Sequence, residues 1–170
     1  MAPGDGLDTF QVVDVRDVAA WIVNCTERGR GGAYNLTSLP MNWKAYLESS
    51  RDAIQARAQW VWVFAEFLRS ENVSQFFDMP AWNPRSERSG FTHISSAKAR
   101  AAGWLQRPLS DTAIDAWSSY RRRFPAGTPY PLRQDGASWG LSDEREGNIL
   151  QSWASTMSSS STLRPGAQSL

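Results

Sequence analysis

Short runs of β-branched and aromatic residues alternate with segments of helical period, and glycine or a capping residue marks most changeovers. This alternation constrains the fold more than any other feature of the chain. Gln11-Val12-Val13-Asp14-Val15 reads as a strand. Asp17 is placed to cap a helix through Arg28, on which Val18, Trp21, Ile22 and Cys25 recur at helical spacing. Gly29, Gly31 and Gly32 end that helix, and Ala33–Thr37 reads as a buried strand. Asn42 can cap a second helix whose apolar face carries Trp43, Tyr46, Leu47, Ser50 and Ile54. Gln59–Phe64 follows as a third strand and Ala65–Ser70 as a short helix. Strands alternating with helices predict an α/β fold.

The second half is more broken. Met79-Pro80, Asn83-Pro84 and Ser89-Gly90 predict an ordered loop over Val73–Gly90. Phe91–Ile94 reads as extended. Ser95 or Ser96 caps a helix over Ala97–Ala102, with Gly103 closing it, and Trp104–Leu109 is extended again. Ser110 or Asp111 opens a helix through about Arg123, its apolar side carried by Ala113, Ile114, Ala116, Trp117 and Tyr120. The prolines at 125, 129 and 131 mark a linker-like loop, and Ser142 caps a last helix with Arg145 at the third position. The predicted organisation is a lead-in loop over residues 1–10, one folded unit over 11–153 and a disordered, serine-rich tail over 154–170.

Charge and cysteine content exclude several function classes. With 18 basic and 17 acidic side chains the formal net charge is +1, which gives no long-range attraction to nucleic acid or anionic membranes. No run approaches the ~18 apolar residues of a membrane span. The first residues carry neither a basic nor an apolar segment typical of a secretory leader, so a cytoplasmic location is expected. The sequons at Asn24, Asn35 and Asn72 then read as chance matches. One cysteine, Cys25, and one histidine, His93, leave no ligand set for a structural zinc. Cys25 reads as a small core residue.

Motifs for catalysis are missing. No Gly-x-Gly-x-x-Gly or P-loop occurs, and Gly29-Arg30-Gly31-Gly32 follows a helix instead of opening one, the reverse of what a pyrophosphate site needs. Each of the four tyrosines lacks a lysine four residues on: Tyr34, Tyr46, Tyr120 and Tyr130 are followed there by Ser38, Ser50, Phe124 and Gln134. That pair would place an ammonium beside a phenol on one helix face and lower its pKa. Arg121-Arg122-Arg123 is the only basic cluster, and its consecutive residues point different ways from a helix end. Most of the nine tryptophans fall on apolar faces; Trp82, among the loop's breakers, is the one best placed to line a pocket.

Several segments, read in order, resemble the C-terminal half of extended short-chain dehydrogenase/reductases, the NAD-dependent epimerase/dehydratase family. Phe10-Gln11-Val12-Val13-Asp14-Val15-Arg16-Asp17-Val18-Ala19 looks like that family's strand-to-helix segment, and Gly32-Ala33-Tyr34-Asn35-Leu36-Thr37 like the strand that returns to its sheet. Met41–Leu47 is similar to the helix after it. Ser96 and Lys98 keep part of a D-x-S-K-A motif, and Gly103-Trp104-Leu105-Gln106-Arg107-Pro108-Leu109 with the helix through Trp117 resembles the family's ending. The resemblance runs from about Pro3 to Trp153. It implies a partial Rossmann-type sheet carrying a helical substrate-binding subdomain. The family moves a hydride between NAD(P) and a sugar nucleotide or similar alcohol or ketone. Its glycine-rich loop and catalytic residues precede this half, so no catalytic residue is carried over and no cofactor is expected to bind this chain alone. A separate Rossmann half is the implied partner. Arg16, Asn35 and Trp82 are the implied substrate-binding residues. Arg16 has the alternative of pairing with Asp14 or Asp17, and Asn35 of satisfying backbone. A non-catalytic binding protein derived from the same fold is the other reading.

Overall fold

The computed structural model describes residues 1–84, 93–125 and 140–162. Four two-residue strands and six helices make up its elements: β1 Ala2–Pro3, β2 Thr9–Phe10, α1 Val15–Glu27, β3 Met41–Asn42, α2 Trp43–Ala53, β4 Trp62–Val63, α3 Ala65–Ser70, α4 Ala97–Ala101, α5 Leu109–Arg123 and α6 Asp143–Thr162. The fold is mixed α/β, with helices dominating. Among the described residues no helix is long and apolar enough to cross a membrane.

The strands form two separate pairs. β1 runs parallel to β4, with Ala2 opposite Trp62 and Pro3 opposite Val63. Ala2 N–H donates to Val61 O and Gly4 N–H to Val63 O, each at 2.8 Å. Pro3, which has no N–H, therefore occupies the position that faces away from β4, where the ladder needs no donor. Residues 4–61 form the crossover between the two strands. Within it, β2 pairs antiparallel with β3, Thr9 opposite Asn42 and Phe10 opposite Met41.

Two apolar clusters hold the fold, and both strand pairs belong to the larger one. The larger core joins Phe10, Trp43, Val63, Leu68, Val73, Met79, Trp82 and Ile149. Phe10 packs against Trp43 at 5.1 Å between ring centroids and meets Tyr46 edge-on at 4.8 Å, so β2 and the first turn of α2 share one aromatic contact. Trp153 of α6 sits against Phe64 and Phe67, closing the core from the far end of the chain. The smaller core contains Trp21, Ala99 and Trp104, with Cys25, Tyr34, Leu36 and Ala102 packed around it. Cys25 is half-buried there, as a small core residue.

Helix boundaries follow local chemistry. Asn42 caps α2 by accepting from Ala45 N–H at 2.8 Å, and Ser142 accepts from Arg145 N–H at 3.2 Å at the start of α6, both at the predicted positions. The cap of α1 is Asp14, not Asp17: Asp14 accepts from Arg16 N–H at 2.9 Å, and the helix opens at Val15. Pro108, rather than Ser110 or Asp111, precedes the first turn of α5. Gly103 closes α4 at φ +95°, as predicted. Gly29, at φ +58°, closes α1: its N–H reaches Thr26 O and that of Arg30 reaches Cys25 O, the paired bonds of a Schellman end.

The strand predictions need correction. Gln11–Val15 and Ala33–Thr37 form no ladder; the β2 pairing lies earlier, at Thr9–Phe10. The two segments do run side by side, joined by Ser38 N–H to Val12 O at 2.9 Å and Val12 N–H to Ser38 Oγ at 3.1 Å. A serine hydroxyl there takes the place of the carbonyl that would continue a sheet. Gln59–Phe64 contributes only Trp62–Val63. The tail is the other correction: residues 154–162 belong to α6 rather than to a disordered segment. Ser155, Thr156, Ser158 and Ser159 each turn the hydroxyl back onto the carbonyl four residues earlier, so their polar groups are satisfied inside the helix. Residues 163–170, residues 85–90 of the predicted loop, residues 91 and 92 of the predicted extended segment and the proline-rich stretch over 126–139 lie outside the described residues.

Candidate functional site

The most elaborate polar cluster lies where α1 begins, against α5. Asp14 is buried and accepts four hydrogen bonds: from Arg16 N–H and Nε, both at 2.9 Å, from Arg16 Nη2 at 2.6 Å and from Thr112 Oγ1 at 2.8 Å. Arg16 also pairs with Asp115 on α5. Asp17, buried as well, accepts from Arg107 N–H at 2.9 Å and Nε at 2.7 Å, and Arg107 Nε stands 3.6 Å from Asp14. Charges therefore alternate along Asp115, Arg16, Asp14, Arg107 and Asp17, tying the N-terminus of α1 to the segment leading into α5.

The electrostatics of this chain decide what chemistry it supports. Hydrogen bonds from the Arg16 side chain hold the Asp14 carboxyl well below the ordinary carboxylate range. Burial opposes that shift, while the Arg16 N–H, the Thr112 hydroxyl and the Arg107 charge add to it. Asp14 and Asp115 push the Arg16 guanidinium further up. Neither group titrates near neutrality, so this pair cannot shuttle a proton at physiological pH; it can bind and orient.

Beside the network lies a cleft of about 670 Å³ lined by Val13, Arg16, Thr112, Asp115, Ser118, Ser119 and Arg122 among others. Of the three consecutive arginines, Arg121 lies over the Trp117 ring at 5.9 Å and Arg123 over Phe124 at 5.6 Å, leaving Arg122 to line the cleft. Two cations, one accessible carboxylate and three hydroxyls on the same wall suit a polyhydroxylated or anion-bearing ligand.

The three residues singled out by sequence do not converge. Arg16 lines this cleft. Asn35 is exposed elsewhere and donates through Nδ2 to Ser95 O at 3.3 Å, the backbone-satisfying alternative. Trp82 is fully buried, with its indole N–H donating to Asp8 Oδ2 at 3.0 Å; it braces the core and offers no surface to a ligand. Sequence reasoning missed Asp115, Thr112 and Arg107. They lie more than 80 residues from Arg16 in the chain, and no local pattern links them to it.

The glycine-rich stretch after α1 does not fit a dinucleotide cradle. Gly29-Arg30-Gly31-Gly32 sits past the C-terminal end of α1, where carbonyls rather than N–H groups point outward and the dipole is negative. Lys98 does approach a tyrosine, but its Nζ lies 4.7 Å from the Tyr34 ring centroid, over the ring face, and donates to Ala33 O. That contact is with the ring face. Comparison with family models, curated proteins and solved structures finds no match to this chain.

Proposed function

We propose that this chain is the substrate-binding C-terminal portion of an NAD(P)-dependent epimerase/dehydratase-like oxidoreductase, inactive by itself. The observation that carries the reading is the parallel pair β1–β4. Ala2 and Val63 are 0% exposed, yet each strand is two residues long and no third strand joins them among the described residues. Parallel strands ordinarily belong to multi-stranded sheets covered on both faces, so a buried stub of this kind suits one portion of a larger sheet. The order of motifs from Phe10 to Trp117 supports the same reading. On it, the α1/α5 cleft with Arg16, Asp115 and Arg122 contacts a sugar nucleotide or comparable alcohol or ketone, and a separate Rossmann half supplies the dinucleotide site. The reading also favours a cytoplasmic protein.

Calorimetric titration with NADH tests the proposal directly. The purified chain is expected to give no binding heat, and co-expression with a polypeptide bearing a glycine-rich loop is expected to yield a stable complex that binds NADH. Micromolar NADH affinity in the isolated chain would overturn it. The alternative, a non-catalytic binding protein of the same descent, is favoured by how completely the larger core closes, with Val63, Leu68 and Trp82 all at 0% exposure. A monomer with one cooperative unfolding transition that forms no such complex would support that alternative.

A further inference from the structure

Away from the α1/α5 cleft, a cavity of about 290 Å³ lies against β2 and is lined by Phe10, Gln11, Thr37, Phe76, Ala81, Asn83 and Ile94. Three observations mark it as built rather than left over. First, Asn83 is only 4% exposed, yet its Oδ1 has no hydrogen-bond partner among the described residues. A buried acceptor without a donor is destabilising, and native folds rarely keep one without a use.

Second, two of the lining residues hold unusual backbone. Among the described residues, four that are not glycine have positive φ: Gln55, Asn72, Phe76 and Ala81. Gln55 and Asn72 close α2 and α3 with the paired bonds of Schellman ends, which accounts for them. Phe76 (φ +63°) and Ala81 (φ +64°) close no helix, and both line the cavity.

Third, the walls are held in place. Gln11 Nε2 donates to Ser38 O at 2.7 Å and Ile94 O at 2.9 Å, while its Oε1 accepts from Ile94 N–H at 2.7 Å. In the turn that carries Phe76, Asp78 accepts from Ser74 N–H and Oγ at 2.7 and 2.8 Å, and from Arg145 at 3.1 Å. A side wall fixed in this way is what a pre-organised site requires.

We propose that this cavity binds a small neutral aromatic molecule carrying one hydroxyl or N–H, whose donor meets Asn83 Oδ1. Among the described residues, none that lines it is ionisable, so a charged ligand would find no compensating partner on these walls. Phe10, Phe76, Ala81 and Ile94 supply apolar contact. Since a dry apolar cavity of ~150 Å³ accepts benzene, the volume here suits a two-ring molecule. The site stands independently of the proposed oxidoreductase role, because it needs neither dinucleotide nor second chain.

The test uses the full chain, labelled with ¹⁵N and titrated with 2-naphthol, naphthalene or 2-naphthoate at pH 7. Saturable shifts of the Phe76, Ala81, Asn83 and Ile94 amides with 2-naphthol are expected, with naphthalene at least tenfold weaker and 2-naphthoate without effect. Asn83→Leu is expected to erase the preference for naphthol over naphthalene without lowering the melting temperature. If that variant fails to fold, Ile94→Trp, at a side chain standing half in solvent, is expected to fill the cavity and abolish the shifts at Phe76 and Asn83. Absence of saturable shifts, equal affinity for naphthol and naphthalene in the unmodified chain, or binding of 2-naphthoate as tight as that of 2-naphthol would each overturn the proposal.

Discussion

Replacing Trp82 with Phe separates a bracing role from a ligand-contacting one. The indole is 0% exposed and its N–H donates to Asp8 Oδ2 at 3.0 Å, with Asp8 itself 4% exposed. Two losses follow. The hydrogen bond to a carboxylate contributes roughly 1.5–3 kcal/mol, and Asp8 keeps a further interaction, which sets the lower end. The smaller ring also leaves part of the indole volume empty within the core, costing about 1 kcal/mol more. The expected total is about 2.5 kcal/mol, equivalent to a fall in Tm of about 5–10 °C for a chain of this size. Urea unfolding followed by far-UV circular dichroism avoids the altered tryptophan signal and gives the difference directly. Repeating the change in an Asp8→Asn background is expected to lower the cost by about 1 kcal/mol, because the two side chains are coupled. A loss below about 0.5 kcal/mol would refute the bracing argument.

The Asp14→Asn variant keeps a capping oxygen but loses the charge, so a destabilisation of about 1–2 kcal/mol is expected at neutral pH. Because the native Asp14 carboxyl is held below its ordinary range, its contribution is complete above the unfolded value near ~4 and disappears as pH falls through the depressed native one. The two proteins' stabilities should therefore converge on acidification below about pH 4; a gap unchanged from about pH 6 to 2 would contradict the assignment. Asn42→Ala is expected to remove about 1 kcal/mol by uncapping α2, read from the shift in denaturant midpoint at constant slope. Amide exchange in α6 is expected to be slowed through Ser159 relative to an unstructured peptide, and random-coil rates from residue 154 onward would argue against the helical tail.

Helices were more legible in the sequence than strands, for a physical reason. A helix end is written locally: Asn42 three residues before Ala45, Ser142 before Arg145 and Gly103 after α4 each act on bonds within a few residues. A strand exists only if a remote partner presents its backbone in register. Val12 and Ser38 approach each other closely, yet a hydroxyl interrupts the ladder, and nothing in Gln11–Val15 announces that. The serine-rich end of α6 was misread because serine is a weak helix former in isolation, whereas here each hydroxyl bonds within its own helix. At the candidate site, Asp14-Val15-Arg16-Asp17 signalled a charged helix entry, and the Arg16–Asp14 pair was foreseeable. Arg107 and Asp115 were not, since only the folded chain brings them there.

Arg145 joins regions that are far apart in the chain. One arm donates to Asp78 and the other to Asn72 O at 2.8 Å, so a residue in the first turns of α6 grips both ends of a turn laid down some seventy positions earlier. During synthesis that turn leaves the ribosome well before its clasp. Until α6 emerges, Phe76 and Ala81 have less to hold them in their left-handed backbone geometry, and the hollow beneath them has no settled shape. A nascent chain stalled before residue 143 should thus carry its strands and first helices yet lack a formed pocket, making ligand affinity a late acquisition of folding.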